Sequence, residues 1–489
     1  MLCVRPEDIE KIDKSAVSRG LPVKELMRRA GDAVADAVME AHAPCHVLIL
    51  CGGGNNGGDG YAAALRLYGY GYTVTAVDLL DKGQRSEAGK SFYDEYRELI
   101  GTPTVTSLAD AIKDAGVVVD AIFGTGRAGA LPASVEEAIA LANSAGALRV
   151  AVDLPTGIDG ECGRVGKTAF QADLTVTLGF YKRGMLSYPA RDFCGKILLA
   201  DLGFLPCDLA GVVADTQTVT EKDVAGLLGK RPQNSHKGTF GTAHLYCGSD
   251  AYRGAAVLAV GGALRMGAGL VAICAGASVQ SAVLSAYPEA IVKDRDAGDT
   301  SCSAVLIGCG LGLCEENEVL LRRLLNTEGA PLVIDADGIN ALAALPDKGA
   351  LLKNAKRQVV LTPHPLEFAR LTDSDIGEVQ ANRLPLAEAF AKEHGVTLVL
   401  KGAGTVIASA DGVAINQSGS SALAKGGSGD VLAGAVTGLL AQGISPFHAA
   451  AVAVYLHGRA GDRLSAQYSE YGVLPHELPL QMAEELAKI

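Results

Sequence analysis

Short apolar, β-branched runs alternate along this chain with longer segments in which apolar residues recur at helical spacing. In the first half, the apolar runs predict strands over residues 46–51, 73–79, 117–122, 148–153 and 174–178. Between them, the spacing predicts helices over residues 60–68, 87–100 and 134–145. Such alternation is typical of a parallel α/β architecture.

The same pattern continues in the second half of the chain. Strands are predicted over residues 243–247, 270–274, 304–308, 332–335, 358–362 and 397–401, and helices over residues 431–442, 446–465 and 475–488. The most apolar stretch, residues 255–279, is interrupted by Arg265 and several glycines, so it predicts a buried helix followed by a strand rather than a membrane span.

A chain of 489 residues exceeds one ordinary core, so two domains are expected. A polar extended piece at 214–220 leads into a predicted capped helix that begins after Thr220. We therefore place the boundary near residue 216, with domains at 1–215 and 216–489. We find no internal repeat.

Composition and charge narrow the classes of function. A net charge of −12 argues against nucleic acid or an anionic membrane as the main partner, but not against phosphorylated small molecules. Eleven cysteines without a Cys-x-x-Cys pair indicate reduced thiols, and the histidines lack zinc-ligand spacing. The first residues do not resemble a signal peptide, so we expect a cytoplasmic protein. We also expect a homo-oligomer.

One glycine turn carries the clearest chemical signal. Gly426, Gly427, Ser428 and Gly429 end in Asp430 and lead into a helix of small apolar residues. Glycines let successive N–H groups converge, and the start of the helix adds positive charge, so an anion is expected to bind there. Asp430 would act as a base on a hydroxyl beside a bound phosphate.

A second glycine-rich loop follows the first predicted strand. It runs from Cys51 to Gly60 and includes Asn55, Asn56 and Asp59. The loop matches neither the dinucleotide fingerprint nor a P-loop. Its position still favours phosphate binding, and its amide oxygens suit a hard cation. The alternative is a simple tight turn.

Two more acids are predicted at the same sheet edge. Asp120 and Asp153 each end a predicted strand, where a carboxylate either does chemistry, holds a cation or caps a helix. Their convergence with Asn56 favours a functional site. Lys182 would complete that site, although a surface lysine is the simpler expectation.

These motifs occur in the order seen in NAD(P)H-hydrate epimerases, which the first half resembles, including its early segment Glu25-Leu26-Met27-Arg28-Arg29-Ala30-Gly31. The resemblance implies a Rossmann-like domain that binds a hydrated nicotinamide dinucleotide. It implies potassium ligands at Asn56, Asp120 and Thr156. Implied substrate contacts are Asn55, Asn56, Gly57, Gly58, Asp59, Gly124, Thr125, Gly126, Arg127, Ala128, Gly129, Ala130 and Asp153.

The second half resembles the ADP-dependent NAD(P)H-hydrate dehydratase branch of the ribokinase-like superfamily. Matching pieces include 235–241, 252–255, 308–312, 335–337, 362–365, 401–405 and the Asp430 turn. The resemblance implies hydrate contacts at Ala255, Gly310, His364 and Asp430. It implies Mg²⁺ with ADP, and nucleotide contacts at Lys401, Gly402, Ala403, Gly404, Thr405 and Gly429. The chain departs from the family pattern at Cys309, Gly338 and Leu366, and Leu366 is expected to reshape the pocket beside His364.

Together the resemblances imply an enzyme that repairs hydrated NADH or NADPH. Asp430 would take the C6 hydroxyl proton while the terminal phosphoryl of ADP moves to that oxygen, giving AMP and phosphate. Asp153 would interconvert the R and S epimers, with Lys182 sharing the role. The alternatives are a small-alcohol kinase beside a non-catalytic nucleotide-binding domain, a turn role for His364 and a capping role for Asp337.

Overall fold

The computed structural model describes residues 2–80, 85–102, 105, 107–125, 129–213, 215–295 and 301–489. The chain forms two compact units, one spanning Leu2–Thr216 and the other Gln217–Ile489. Each unit is a layered α/β structure with a largely parallel sheet, as the alternating pattern predicts. Among the described residues, no helix has the length and apolarity that a bilayer crossing requires.

In the first unit, the described strands form a parallel sheet in the order β3-β2-β4-β5-β6-β8. A separate short parallel pair joins β1 to β7. The elements are β1 (Leu2–Val4), α1 (Pro6–Ser18), α2 (Val23–Ala41), β2 (His46–Cys51), α3 (Asn55–Gly69), β3 (Thr73–Asp78), α4 (Glu87–Leu99), α5 (Leu108–Lys113), β4 (Val117–Ala121), α6 (Ala133–Ser144), β5 (Leu148–Val152), β6 (Leu174–Leu178), β7 (Tyr181–Lys182) and β8 (Lys196–Ala200).

In the second unit, the described strands follow the order β12-β11-β10-β13-β14-β15-β16-β17-β18, and β17 runs antiparallel to both β16 and β18. The strands are β9 (Thr216–Thr218), β10 (Thr242–Tyr246), β11 (Leu270–Cys274), β12 (Ile291–Lys293), β13 (Ala304–Ile307), β14 (Leu332–Ile334), β15 (Val359–Leu361), β16 (Thr397–Leu400), β17 (Val406–Ser409) and β18 (Gly412–Ile415). The helices are α7 (Glu221–Leu228), α8 (Arg253–Arg265), α9 (Ala277–Ala286), α10 (Glu315–Asn326), α11 (Asp337–Ala344), α12 (Lys348–Lys353), α13 (Pro365–Thr372), α14 (Ile376–Ala381), α15 (Arg383–His394), α16 (Ser428–Ala441), α17 (Pro446–Gly472) and α18 (Leu478–Leu486).

Helices α8 and α16 pack backbone to backbone inside the second unit. A Cβ added at Gly434 would lie 2.0 Å from the carbonyl oxygen of Ala259, and one added at Gly262 would lie 2.3 Å from that of Val431. No side chain fits at either glycine, because real Cβ atoms do not approach an oxygen so closely. The glycine-rich sequence of α16 therefore serves close helix packing as well as the turn at its start.

The predicted strands are confirmed, and 255–279 is a helix followed by a strand, as predicted. Two predicted helices are too short, because α3 begins at Asn55 rather than at 60 and α17 continues to Gly472 rather than ending at 465. Thr220 and Asp223 form the predicted capping box of α7. The pattern missed β8 and the β17–β18 hairpin, which are short strands of four or five residues. The predicted helix at 475–488 is a 3₁₀ turn at Pro475–Glu477 followed by α18.

Candidate functional site

The first unit contains a cavity of about 1170 Å³ at the carboxyl ends of β2, β4 and β5. Its wall combines side chains of α1 and α2 with the turns that follow these strands. We call it the acid-lined cavity because Glu10, Asp13, Asp59 and Asp153 all line it, together with Lys14 and Lys182. Ligands of open parallel sheets bind at this edge, so the cavity is the candidate site of the first unit.

The turn between β2 and α3 brings amides and an acid to this cavity. A Cβ added at Gly52 would lie 1.9 Å from the carbonyl oxygen of Ile122, and one added at Gly57 would lie 2.1 Å from that of Gly52. These close approaches require glycine and hold the start of α3 against the end of β4. Asn56 and Asp59 are consequently buried, with 7% and 8% exposure.

Asp120 is fully buried in β4 and is bonded to Thr156. Its Oδ2 accepts from the Thr156 backbone N–H at 2.7 Å, and its Oδ1 accepts from the Thr156 hydroxyl at 2.8 Å and from the Ile122 N–H at 3.1 Å. Burial raises the pKa of Asp120 to about 6, although these hydrogen bonds oppose the shift. Asp120 is thus neither a helix cap nor a surface acid.

The predicted potassium ligands present only oxygen donors from carboxylate, hydroxyl and amide groups. The Asn56 Nδ2 is buried and has no hydrogen-bond partner among the described residues, so no hydrogen bond from this nitrogen fixes the orientation of the amide. The Thr156 hydroxyl donates to Asp120 and accepts from the Phe123 N–H at 3.2 Å. Such oxygens suit a hard cation, so this donor set fits K⁺.

Asp153 follows β5 and has a φ of +68°, which is rare for a residue other than glycine. Lys182 Nζ donates to Asp153 Oδ1, to the Thr177 hydroxyl at 3.1 Å and to the Leu178 carbonyl at 3.0 Å. Lys182 is fully buried, so the expectation of a surface lysine is wrong. A buried ion pair in which one residue has a strained backbone conformation is typical of a functional site.

The glycine turn after β4 borders the same space. A Cβ added at Gly124 would lie 3.2 Å from Asn56 Oδ1 and 3.4 Å from Asp153 Oδ2, so both polar groups converge there. Thr125 also lines the cavity, whereas Gly129 and Ala130 are exposed and do not. The predicted contacts Gly126, Arg127 and Ala128 lie outside the described residues. In α3, Gly58 packs against Met27 of α2, where a Cβ would lie 2.6 Å from the sulfur.

Asp13 of α1 is a cavity acid that our sequence reasoning missed. Burial raises its pKa to about 6, with Asp153 and Glu10 adding to the shift and Lys182 opposing it. Burial and the nearby charges of Asp153 and Asp13 also raise the pKa of Asp59 well above its ordinary value. The only signal in the sequence was an acid on an amphipathic helix, which by itself does not indicate a site.

In the second unit, the corresponding site is built where β13, β14, β15 and β16 end. Asp335 follows β14, and its Oδ1 accepts from Lys401 Nζ at 2.7 Å and from the Thr362 hydroxyl at 2.7 Å. The Cys309 thiol donates to Asp335 Oδ2 at 3.5 Å. Asp335 therefore fixes Lys401 beside the strand ends, and we call Asp335, Lys401 and Asp430 the strand-end site.

Asp430 lies in the first turn of α16, beside this group. One carboxylate oxygen of Asp430, one of Asp335 and the Cys309 sulfur lie within 4.8 Å of one another. Burial, together with the Asp335 charge, raises the pKa of Asp430 to about 6. Gly427 has a φ of +107°, and a Cβ added at Gly429 would lie 3.3 Å from Lys401 Nζ. The lysine and the glycine turn thus offer an anion site adjoining a carboxylate base.

Further predicted contacts lie in two places, one where the turn after β13 meets α8 and one in the turn after β16. Gly310, with a φ of +60°, packs on Ala255, since a Cβ added there would lie 2.7 Å from the Ala255 Cβ. In the 401–405 turn, the Thr405 hydroxyl donates to the Gly402 carbonyl at 2.8 Å. Ala403 and Gly404 belong to the same turn, which follows β16.

His364 begins α13 as its N-cap. Its Nδ1 accepts from the Glu367 N–H at 3.2 Å, and Glu367 Oε2 accepts from the His364 N–H at 2.8 Å. Partial burial and Lys401 lower the pKa of His364, so it is neutral at pH 7. Leu366, in the first turn of the same helix, is 41% exposed. The turn role of His364 is thus present, and its half-exposed ring remains free to contact a ligand.

Asp337 does not occupy the N-cap position of α11, where Ala336 lies with a φ of +46°. Its Oδ2 instead accepts from the Gly312 N–H at 2.8 Å, which ties the turn after β13 to α11. The capping alternative for Asp337 is therefore wrong in its simple form.

His457 of α17 is a second residue that sequence reasoning missed. Its Nε2 lies 3.1 Å from the Ser428 carbonyl oxygen, at the start of α16. Burial lowers its pKa to about 4, so it is a neutral ring that donates to this carbonyl. His457 supports the turn that carries Asp430, and a histidine inside a long apolar helix gave no sequence signal for that role.

The donors of the strand-end site also bear on magnesium. Mg²⁺ binds through one or two carboxylates and the phosphates of a nucleotide, and it keeps several waters. Asp430 and Asp335 supply carboxylate oxygens beside the glycine turn. The site therefore fits Mg²⁺ that arrives with a nucleotide and needs no complete cage of protein ligands.

Two family models match the chain. One, described as NAD(P)H-hydrate dehydratase, covers residues 243–483, and the other, described as YjeF-related protein N-terminus, covers residues 23–184. The first match contains the whole strand-end site, and the second contains Asn56, Asp59, Asp153 and Lys182.

Relatives that carry both parts match nearly the whole chain. A bifunctional NAD(P)H-hydrate repair enzyme Nnr from Coxiella burnetii is 33% identical, over 96% of this chain and 96% of its own length. Its namesake from Escherichia coli is 35% identical, over 96% of this chain and 91% of its own length.

Among solved structures, the second unit is similar to an ADP/ATP-dependent NAD(P)H-hydrate dehydratase from Bacillus subtilis, co-crystallised with ATP and Mg²⁺. That protein is 37% identical, with a TM-score of 0.50, and the match covers 55% of this chain and 97% of that one. Both family models match this chain, and bifunctional relatives are more than 30% identical to it over nearly its whole length. This protein therefore belongs to the family of bifunctional NAD(P)H-hydrate repair enzymes.

Proposed function

We propose that this chain repairs hydrated NADH and NADPH in two steps. The strand-end site dehydrates the S epimer with ADP as phosphoryl donor, and the acid-lined cavity interconverts the R and S epimers. The observation that carries the proposal is Asp430 at the start of α16, beside a glycine turn and the Lys401–Asp335 pair. Family membership favours this function over the alternative of a small-alcohol kinase.

Dehydration needs a better leaving group than hydroxide at C6 of the nicotinamide ring. Asp430 takes the proton of the C6 hydroxyl as the terminal phosphoryl of ADP moves to that oxygen, releasing AMP. Lys401 and the N–H groups of Gly427 to Gly429 stabilise the charge on the transferred group. The ring nitrogen then expels phosphate, and loss of a C5 proton restores the dihydropyridine.

The requirement for one epimer follows from this geometry. The hydroxyl must reach Asp430 and the phosphoryl group in line, so only one C6 configuration can react. The R epimer would accumulate unless another site converted it. Asp153, with Lys182 against its carboxylate, supplies the acid–base pair for that conversion.

Ions complete both halves of the proposal. Asn56, Asp120 and Thr156 would hold K⁺, which supplies a fixed positive charge for the pyrophosphate of the substrate. Mg²⁺ would arrive with the nucleotide near Asp430 and Asp335 and neutralise phosphate charge. Replacement of K⁺ by Li⁺ or Na⁺ should slow epimerisation and leave dehydration of purified S epimer unchanged.

The deciding experiment supplies mixed hydrated NADH and follows the return of absorbance at the reduced-nicotinamide band. With ADP, recovery should be complete, and ATP should be compared in parallel. The proposal fails if neither nucleotide restores absorbance above the spontaneous rate. A stable phosphorylated product from a hydroxymethylpyrimidine or thiazole alcohol would instead favour the kinase alternative.

Three further parts of the proposal concern the whole protein. The domains 1–215 and 216–489 should each retain their own reaction when expressed separately. Light scattering after size exclusion should show a homo-oligomer. Fractionation of the producing cells should recover the protein in the cytoplasm.

A further inference from the structure

Two carboxyl groups of the acid-lined cavity have no hydrogen-bond partner in the described part of the chain. Asp59 is 8% exposed on α3 and Asp13 is partly buried on α1, and both side chains line the cavity. Buried carboxylates are normally hydrogen-bonded, as Asp120 is in this same unit. Asp59 is buried on the cavity wall without such a bond, and Asp13 faces the same cavity, so the geometry indicates that a ligand supplies the missing partner.

The charges around these two acids explain how they hold a proton. The other charged groups on the cavity wall are Glu10 and Lys14 of α1, which pair with each other, and the Asp153–Lys182 pair. Burial raises the pKa of both Asp59 and Asp13; the charges of Asp153 and Asp13 add to the shift at Asp59, and those of Asp153 and Glu10 add to it at Asp13. Burial and negative surroundings therefore favour the protonated form of each acid more than in an exposed aspartate.

The chemistry of epimerisation needs proton transfer on both faces of the ring, and this step rests on the proposed function. The C6–O bond breaks as the hydroxyl takes a proton and leaves as water, while the ring nitrogen forms a C6=N bond. Water then attacks C6 from the opposite face and gives a proton to a base. No oxidant is needed, and one proton is consumed and one released.

Lys182 donates to Asp153, so these two groups present their protons from one point on the cavity wall. We propose that Asp13 and Asp59 form the second proton-transfer site of the epimerase, acting on the face of the nicotinamide ring that Asp153 does not reach. The ring lies between the two pairs. Each pair acts as acid for one direction of the reaction and as base for the other.

The test starts from one purified epimer of hydrated NADH and follows approach to the R–S equilibrium by chromatography, without nucleotide. Asp13→Asn and Asp59→Asn should each lower kcat at least 100-fold after subtraction of the spontaneous rate, with KM changed less than threefold. Asp13→Glu keeps a carboxyl on α1 and should retain at least a tenth of wild-type kcat. In H₂¹⁸O, wild type should incorporate ¹⁸O at C6 as it epimerises.

The matched control is Glu7→Gln, which removes an exposed acid of the same helix that does not line the cavity and should keep near-normal epimerisation. Each variant should also dehydrate purified S epimer with ADP at the wild-type rate, which reports an intact second unit.

Three results would overturn the inference: kcat of Asp13→Asn above a third of wild type, equal losses in Asp13→Asn and Glu7→Gln, or epimerisation without ¹⁸O incorporation. If wild type itself fails to epimerise, the proposed function fails instead, so the two failures are distinguishable.

Discussion

The two sites differ in the charged groups that surround their buried carboxylates. In the acid-lined cavity, acids outnumber cations, and Asp13 and Asp59 both have raised pKa values. In the strand-end site, Lys401 donates to Asp335, and Asp430 is the acid whose pKa is raised. The first site thus holds several acids with raised pKa values, whereas the second presents one such carboxylate beside a lysine and an anion-binding turn.

The difference follows from what each proposed reaction needs. Epimerisation both gives and takes a proton and transfers nothing else, so protonated acids are useful there. Phosphoryl transfer needs positive charge around the moving group and one base for the hydroxyl, which Lys401, the glycine turn and Asp430 provide. The electrostatics of each site thus match its own step and would not serve the other.

The largest expected effect is the loss of dehydration, with epimerisation unchanged, when Asp430 alone is substituted. Asp430→Asn should lower ADP-dependent recovery of NADH by about 10³-fold or more, because Asp335, the other carboxylate of the strand-end site, is paired with Lys401. Absorbance recovery of the purified S epimer measures this loss. Epimerisation of the same variant should be unchanged, and a parallel loss of both reactions would break the comparison.

Asp153→Ala should give the complementary result. With mixed hydrates and ADP, recovery should stop at the fraction that was S epimer, followed only by the slow spontaneous phase. The two-phase trace is measured at the reduced-nicotinamide band. Full recovery at the wild-type rate would remove Asp153 from the epimerase reaction.

Lys182→Met should both stop epimerisation and destabilise the first unit. Loss of one partner leaves Asp153 buried without its cation, which costs about 3–5 kcal/mol. Urea unfolding of the variant measures the cost. The double variant Lys182→Met, Asp153→Asn should regain much of that stability but no activity; if it stays as unstable as the single variant, the buried charge is not the cause.

The pH dependence of dehydration should reflect Asp430. Because the base must be ionised and its folded pKa is raised to about 6, kcat/KM should be level above pH 7 and fall about tenfold per unit below pH 6. Purified S epimer at saturating ADP gives this profile. An unperturbed aspartate would keep the rate level down to about pH 4.

The smallest effect concerns stability. A carboxyl with a raised folded pKa favours folding when protonated, and this contribution is lost as pH rises through about 6. Asp430→Asn should therefore raise Tm by a few degrees at pH 7.5 and by less at pH 5. Differential scanning calorimetry at the two pH values checks the sign; a lower Tm at pH 7.5 would contradict it.

Much of the fold could be predicted because buried parallel strands are nearly continuous apolar runs, as in β2, β4 and β16. The short β17–β18 hairpin lacked that length and was missed. Asn56, Asp120 and Asp153 could be predicted to lie at one sheet edge because each is at or shortly after the end of a predicted strand. The positions of Asp13 and His457, and the burial of Lys182, depend on which helix or loop faces which strand end, and local sequence patterns carry no such information.

The close approach of α8 and α16 has a consequence for how heat should inactivate the protein. Asp430 is attached to a helix whose backbone touches its neighbour at Gly434 and Gly262, with no intervening side chain that could change rotamer. The proposed catalytic carboxylate therefore cannot become mobile before the surrounding core separates. Dehydratase activity and the calorimetric transition of the second unit should disappear together, within the same few degrees.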